Sequence, residues 1–130
     1  MRKFVIPVSF VHTFIRVWNK HNDCEVTRDD INSGWCYQFA LAVRRTFGDA
    51  VRLYTDMEGG HCWIRVDDLY YDSVHLHGVR VPLNQDAQWR GPVSEQFVVR
   101  TWESIGISGP VQTHTIEAVA KRWKQSNFIA

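Results

Sequence analysis

The chain has 130 residues, 45% of them hydrophobic and 13% aromatic, which fits one packed domain and argues against a disordered or fibrous chain. Its 15 lysines and arginines are balanced by 14 aspartates and glutamates, so no large net field draws it to nucleic acid or to an acidic membrane surface. Cys24, Cys36 and Cys62 are an odd set without paired spacing, which argues against a disulfide-stapled secreted scaffold and favours a reducing compartment.

Met1-Arg2-Lys3 ahead of the apolar run Phe4 to Val11 superficially resembles a secretory leader. Pro7 interrupts the run, His12 and Arg16 follow closely, and no small-residue cleavage site appears. No stretch approaches the ~20 apolar residues of a membrane span. The expectation is a soluble, cytoplasmic protein that engages no membrane.

Phe4 to Ile6 reads as a short strand or as the lead-in to a helix. From Pro7 to about Lys20, Val8, Val11, Ile15 and Trp18 recur at helical spacing, with Pro7 suited to the first turn. His21 to Asp30 is polar and reads as a loop. A second helix is expected over Ser33 to Phe47, its stripe being Cys36, Phe39, Ala40, Val43 and Phe47. Asn32 or Ser33 would cap its start and Gly48 its end. Period two follows in Val51, Leu53 and Thr55, and Gly59-Gly60 breaks the chain. His61 to Val66 and Leu69 to Val74 then form two strands joined at a turn, Asp67-Asp68. Val79, Val81 and Leu83 suggest one more strand, and Asn84 to Pro92 a polar loop. Ser94 to Ile105 reads as a helix, or as a strand over Phe97 to Arg100. A last helix over Thr113 to Gln125 turns Ile116, Val119, Ala120 and Trp123 inward. With no repeat and no linker, residues 1–130 are one α+β domain, a helix packed on a small antiparallel sheet with a further C-terminal helix.

A cysteine nucleophile needs conditions that favour the thiolate, a base within reach and a group to orient that base. Cys36 falls in the first turn of its expected helix, where unpaired N–H groups and the helix dipole favour negative charge on sulfur and on a developing oxyanion. The hairpin supplies the other two. A two-residue turn sets Val66 opposite Leu69 and Trp63 opposite Asp72, so His61, Trp63 and Arg65 share a face with Tyr70, Asp72 and Val74. His61 and Asp72 become diagonal neighbours about 7–8 Å apart, close enough for the carboxylate to orient the imidazole. Cys62 points the other way and reads as packing, and Cys24 as an incidental loop residue.

The segment Ser33-Gly34-Trp35-Cys36-Tyr37-Gln38-Phe39-Ala40 resembles the nucleophile segment of transglutaminase-like proteins and the cysteine–aromatic–Phe core of papain-like peptidases. Gly60-His61-Cys62-Trp63-Ile64-Arg65-Val66 is similar to their histidine strand, and Leu69-Tyr70-Tyr71-Asp72 to the strand that ends on the acidic triad member. The resemblance covers residues 33 to 74 in the family's order, with one strand between helix and hairpin. From Pro82 onward the chain has no counterpart in it. It implies a transglutaminase-like, papain-like core with Cys36 as nucleophile, His61 as general base and acid, and Asp72 as orienter. The expected chemistry is acyl transfer through a thioester at Cys36, from a peptide, protein, amide or thioester substrate to water or an amine. The Cys36 N–H would hold the oxyanion, with Asn32 and Gln38 as side-chain candidates, and no cofactor or metal is required.

Two other classes fit parts of the pattern. Cys36, His61, Cys62, Asp72, His75 and His77 are suitable zinc ligands, but no Cys-x-x-Cys or His-Glu-x-x-His spacing organises them. The same fold with an idle triad would be a protein-binding module using Trp35, Trp63, Trp89 and Trp102, although tryptophans at such spacings usually belong to a core.

Overall fold

The computed structural model describes residues 3–56, 60–83, 89–103 and 109–127. Helix α1 spans Val8–Asn22, and a single turn, α2, spans Arg28–Asp30. That turn runs through a stretch kinked at Gly34, Ile31–Trp35, into α3, Cys36–Phe47. Strands β1 (Arg52–Asp56), β2 (Cys62–Val66), β3 (Leu69–Tyr71) and β4 (Trp89–Val93) come next, then α4 (Glu95–Glu103) and α5 (Thr113–Asn127). The α+β class is as expected. Among the described residues no helix is long and apolar enough to cross a membrane.

Helix α3 is the centre of the molecule. Every residue from Cys36 to Val43 is buried, well beyond the expected stripe, because β1 and β2 cover one side and α5 and α4 the others. A stretch surrounded in this way has no polar face to spare, and the long polar side chain within it, Gln38, is tied to backbone at Pro110 and Gln112. Phe39 and Phe47 of α3 meet Phe10 and Phe14 of α1 and Trp123 of α5, with ring centroids 5.0–5.8 Å apart and mostly edge to face. Each such ring contributes about 1.5–3 kcal/mol by its burial. These contacts also correct the expected stripe of α1. Phe10, Val11, Phe14 and Trp18 are the buried residues, while Val8 is exposed and Ile15 half-buried, because the spacing of four brings the large rings onto one line.

Pro7 stands at the N-cap of α1, and Phe4 to Ile6 is lead-in, not strand. Helix α3 starts at Cys36, not at Ser33: the preceding residues leave α-geometry at Gly34, and neither Asn32 nor Ser33 caps the helix. Gly48 ends it with φ 95°, a conformation that glycine adopts without strain. The loop expected over His21 to Asp30 is shortened from both sides, since α1 continues to Asn22 and α2 begins at Arg28.

The sheet runs β3-β2-β1-β4 and is antiparallel throughout. The hairpin has the expected register, Val66 opposite Leu69, Arg65 opposite Tyr70 and Ile64 opposite Tyr71. Its two-residue turn is closed by Asp67 at φ 54°, a left-handed conformation that aspartate tolerates. Cys62, Ile64 and Tyr71 face α3, and Trp63 and Tyr70 form a second cluster with Tyr54 on the other face. No strand forms over Val79 to Leu83: a single bridge joins Val79 to Tyr70, and Val81 is exposed ahead of Pro82. The loop expected over Asn84 to Pro92 instead ends in β4, which pairs with β1 across a break in register opposite Tyr54. Pro92 is tolerated there because β4 is an edge strand. Ser94 Oγ accepts from the N–H of Phe97 and starts α4 as a helix, which excludes the strand alternative. Ile116, Val119, Ala120 and Trp123 of α5 are buried as expected. Gly59, Asn84 to Gln88 and Ile105 lie outside the described residues.

Candidate active site

Cys36 is the first residue of α3 and His61 the residue just before β2, where its carbonyl accepts from Asp56 N–H at 2.8 Å and extends the β1–β2 ladder by one bond. Asp72 follows the last residue of β3. The three expected residues therefore sit at the ends of their elements, where side chains can turn across the sheet's rim. His61 Nε2 lies 2.9 Å from Asp72 Oδ2, and Cys36 stands near enough to help raise the proton affinity of His61. Since Nε2 is occupied by Asp72, Nδ1 is the nitrogen left for the sulfur. The imidazole stacks on Trp63 with centroids 5.8 Å apart, which fixes its plane from below.

Asp72 is more heavily bonded than the sequence suggested. Oδ1 accepts from the N–H of Val74 at 2.9 Å, the N–H of His75 at 2.8 Å and His75 Nδ1 at 2.8 Å. Oδ2 accepts from His61 and from Asn32 Nδ2 at 3.1 Å. The residue thus caps the turn that follows it and holds the histidine, one oxygen for each task. Burial alone would raise the Asp72 carboxyl, but these donors outweigh it and hold it well below the usual carboxylate range. An ionised carboxylate only accepts, so His61 Nε2 and His75 Nδ1 both carry protons. Burial likewise opposes charge on His61, yet the bonds to Asp72 and Cys36 and their negative charges push it from 6.5 up to about 9. The arrangement stabilises an imidazolium beside the sulfur.

Asn32 and Gln38, the side-chain candidates for the oxyanion, are engaged elsewhere. Asn32 donates to Asp72 and accepts from Ser73 Oγ at 3.0 Å, so it ties the kinked stretch before α3 to the acidic residue. Gln38 is fully buried against the Pro110–Gln112 backbone. Sequence reasoning did not single out His75 as a partner of Asp72; the signal was Asp72-Ser73-Val74-His75, an aspartate positioned to cap its own turn.

Cys62 is buried in the main core, away from the His61 face as its parity requires. Burial, then the neighbouring Cys36, pushes its thiol well above the ordinary value against a bond to Thr55, which leaves it a poor nucleophile. Cys24 is half-buried, and its thiol donates to Asn19 Oδ1 at 3.3 Å. Among the described residues no three His, Cys, Asp or Glu side chains form a group able to hold a metal ion. Of the tryptophans, Trp63 and Trp102 are buried, Trp35 is half-buried and Trp89 is exposed, so they do not make one aromatic surface. Cys36 itself is 3% exposed and borders a narrow crevice between α3 and β2 with no room for a water-sized occupant. Comparison with protein-family models, with curated proteins and with solved structures gives no match for this chain.

Proposed function

We propose that this protein is a cysteine-dependent acyl-transfer enzyme, a peptidase, amidase or transglutaminase-like acyltransferase with the papain-like type of core. The observation that carries the proposal is His61 held at 2.9 Å by ionised Asp72 and influenced by Cys36, which stands at the start of a buried helix. In this scheme the proton of the Cys36 thiol passes to His61 Nδ1, forming the imidazolium, and the sulfur then attacks a substrate carbonyl carbon. The tetrahedral oxyanion is held by N–H groups of the first turn of α3. As the intermediate collapses, the C–N, C–O or C–S bond to the leaving group breaks and that group departs with the proton from His61. Water or an amine, deprotonated by His61, then attacks the thioester and returns the sulfur to its starting state. Asp72 keeps Nε2 protonated throughout and leaves Nδ1 to do this work. The substrate is a peptide, protein, amide or thioester, and the proposed setting is cytoplasmic.

The test is alkylation by iodoacetamide with intact-mass readout, comparing wild type with Cys36→Ala, Cys24→Ala and Cys62→Ala. Cys36 should dominate labelling of folded protein near neutral pH. Labelling spread evenly over the three cysteines, or confined to Cys24, overturns the assignment. One observation favours a second possibility, a protein-binding module with an idle triad: the narrow crevice beside a sulfur that is nearly inaccessible. On that alternative Cys36 reacts only when the protein is unfolded.

A further inference from the structure

We propose that His75 is a fourth functional member of this site, a positioning residue that aims Asp72 at His61; the proposal rests on the acyl-transfer assignment above. The torsion about the Cβ–Cγ bond of an aspartate is broad and nearly two-fold, so a carboxylate left to itself does not present one oxygen to one partner. Here Oδ1 is occupied by three donors from the two residues Val74 and His75. Fixing Oδ1 fixes the plane of the carboxylate, and the plane decides where Oδ2 stands relative to His61 Nε2. Two of the three donors are backbone N–H groups that any non-proline residues would supply. The third, His75 Nδ1 at 2.8 Å, is a side-chain choice.

The chemistry of that choice is specific. Asp72 is ionised and accepts only, so His75 donates from Nδ1 whether or not Nε2 carries a second proton. The His75 side chain is 41% exposed, so its burial alone gives the core little reason to retain an imidazole there. Two imidazoles on one carboxylate thus divide the work. His61 faces the sulfur, and His75 keeps the carboxylate from turning away from it.

The experiment observes the histidine rings directly, by nitrogen-15 NMR of wild type, His75→Ala and His75→Asn, with the alkylation rate of Cys36 measured on the same samples. Asparagine is chosen because its side-chain N–H2 stands near the place of Nδ1. In wild type near neutral pH, His75 should carry a proton on Nδ1 and His61 protons on both nitrogens, as an imidazolium. His75→Ala should mix the protonation states of His61 and slow Cys36 alkylation near neutral pH about tenfold, the size of one hydrogen bond to a charged group. His75→Asn should restore most of both. A wild-type His75 with Nδ1 unprotonated overturns the proposal without any variant, so it stays falsifiable if the alanine protein does not fold. So does an alanine variant with unchanged His61 signals, or a loss that asparagine does not restore. If Cys36 fails to react selectively even in wild type, the acyl-transfer assignment falls, while the His61 signals still decide whether His75 positions Asp72.

Discussion

Asp72→Asn puts two sets of hydrogen bonds in opposition. Three donors converge on Oδ1, so the amide oxygen of an asparagine will occupy that place and its N–H2 group will replace Oδ2. The amide then meets Asn32 Nδ2 and His61 Nε2 donor against donor. His61 relieves the conflict by moving its proton to Nδ1, the tautomer that cannot accept from the Cys36 thiol. Burial, no longer opposed by Asp72, also disfavours the imidazolium. The step from 6.5 to about 9 on His61 is a factor of a few hundred in proton affinity, or about 3 kcal/mol, and Asp72 and Cys36 together produce it against burial. Iodoacetamide alkylation of Cys36 near neutral pH should therefore slow on the order of 10²-fold in Asp72→Asn, with the circular dichroism spectrum unchanged. Asp67→Asn and Asp68→Asn, in the hairpin turn, should react like wild type. An unchanged rate in Asp72→Asn, or an equal loss in the turn variants, would refute the assignment of Asp72 as orienter.

His61 binds its proton more tightly folded than unfolded, so its contribution to stability is complete below pH 6.5 and is lost as pH rises through about 9. Asp72 is the opposite case, contributing above its ordinary 3.8 and losing that contribution as pH falls below it. Denaturant titrations should show stability flat from about pH 4.5 to 6.5 and falling by up to about 3 kcal/mol towards pH 10, with His61→Gln abolishing the alkaline fall. A wild-type curve that stays flat through pH 10 contradicts the ion pair. Gly91→Ala should cost about 1–3 kcal/mol in thermal unfolding, because the added methyl meets the Tyr54 ring at 2.2 Å and Trp63, Tyr70 and Trp89 hold that ring in place. Gly48→Ala meets no atom within 4 Å but must hold φ 95°, and should cost about 1 kcal/mol. A Gly91→Ala protein as stable as wild type would mean that β4 does not lie against Tyr54.

Elements whose pattern is set by burial on one side were legible in the sequence. The hairpin alternates because Ile64 and Tyr71 enter the core while Trp63 and Tyr70 enter the opposite cluster, and that parity gave both the register and the His61–Asp72 pair. Helix α5 kept its stripe because it covers α3 and α1 with one face. Strand β4 was illegible, since Trp89-Arg90-Gly91-Pro92-Val93 carries turn residues and no alternation, and its place depends on fitting a glycine against Tyr54. The same limit hid the partners of Asn32 and Gln38. Polar side chains that bond across 40 or more residues, to Asp72 and to Pro110, leave no period in the chain. The start of α3 was misplaced for a local reason: Asn32 and Ser33 have capping chemistry, but the chain kinks at Gly34 before the helix begins and Asn32 commits its amide to Asp72.

The two borders of the sheet have a consequence outside the site. A strand with one free side is a template on which another chain can add itself. On the outer side of β3, Tyr70 already exchanges both backbone bonds with Val79, at 2.8 and 2.9 Å. On the outer side of β4, Pro92 supplies no N–H, and the break in register opposite Tyr54 bends the strand away from a regular ladder. Neither border offers an uninterrupted row of donors and acceptors to a second copy of the protein. The four strands are therefore protected against edge-to-edge aggregation by two small local devices, with no need for a further strand to close the sheet.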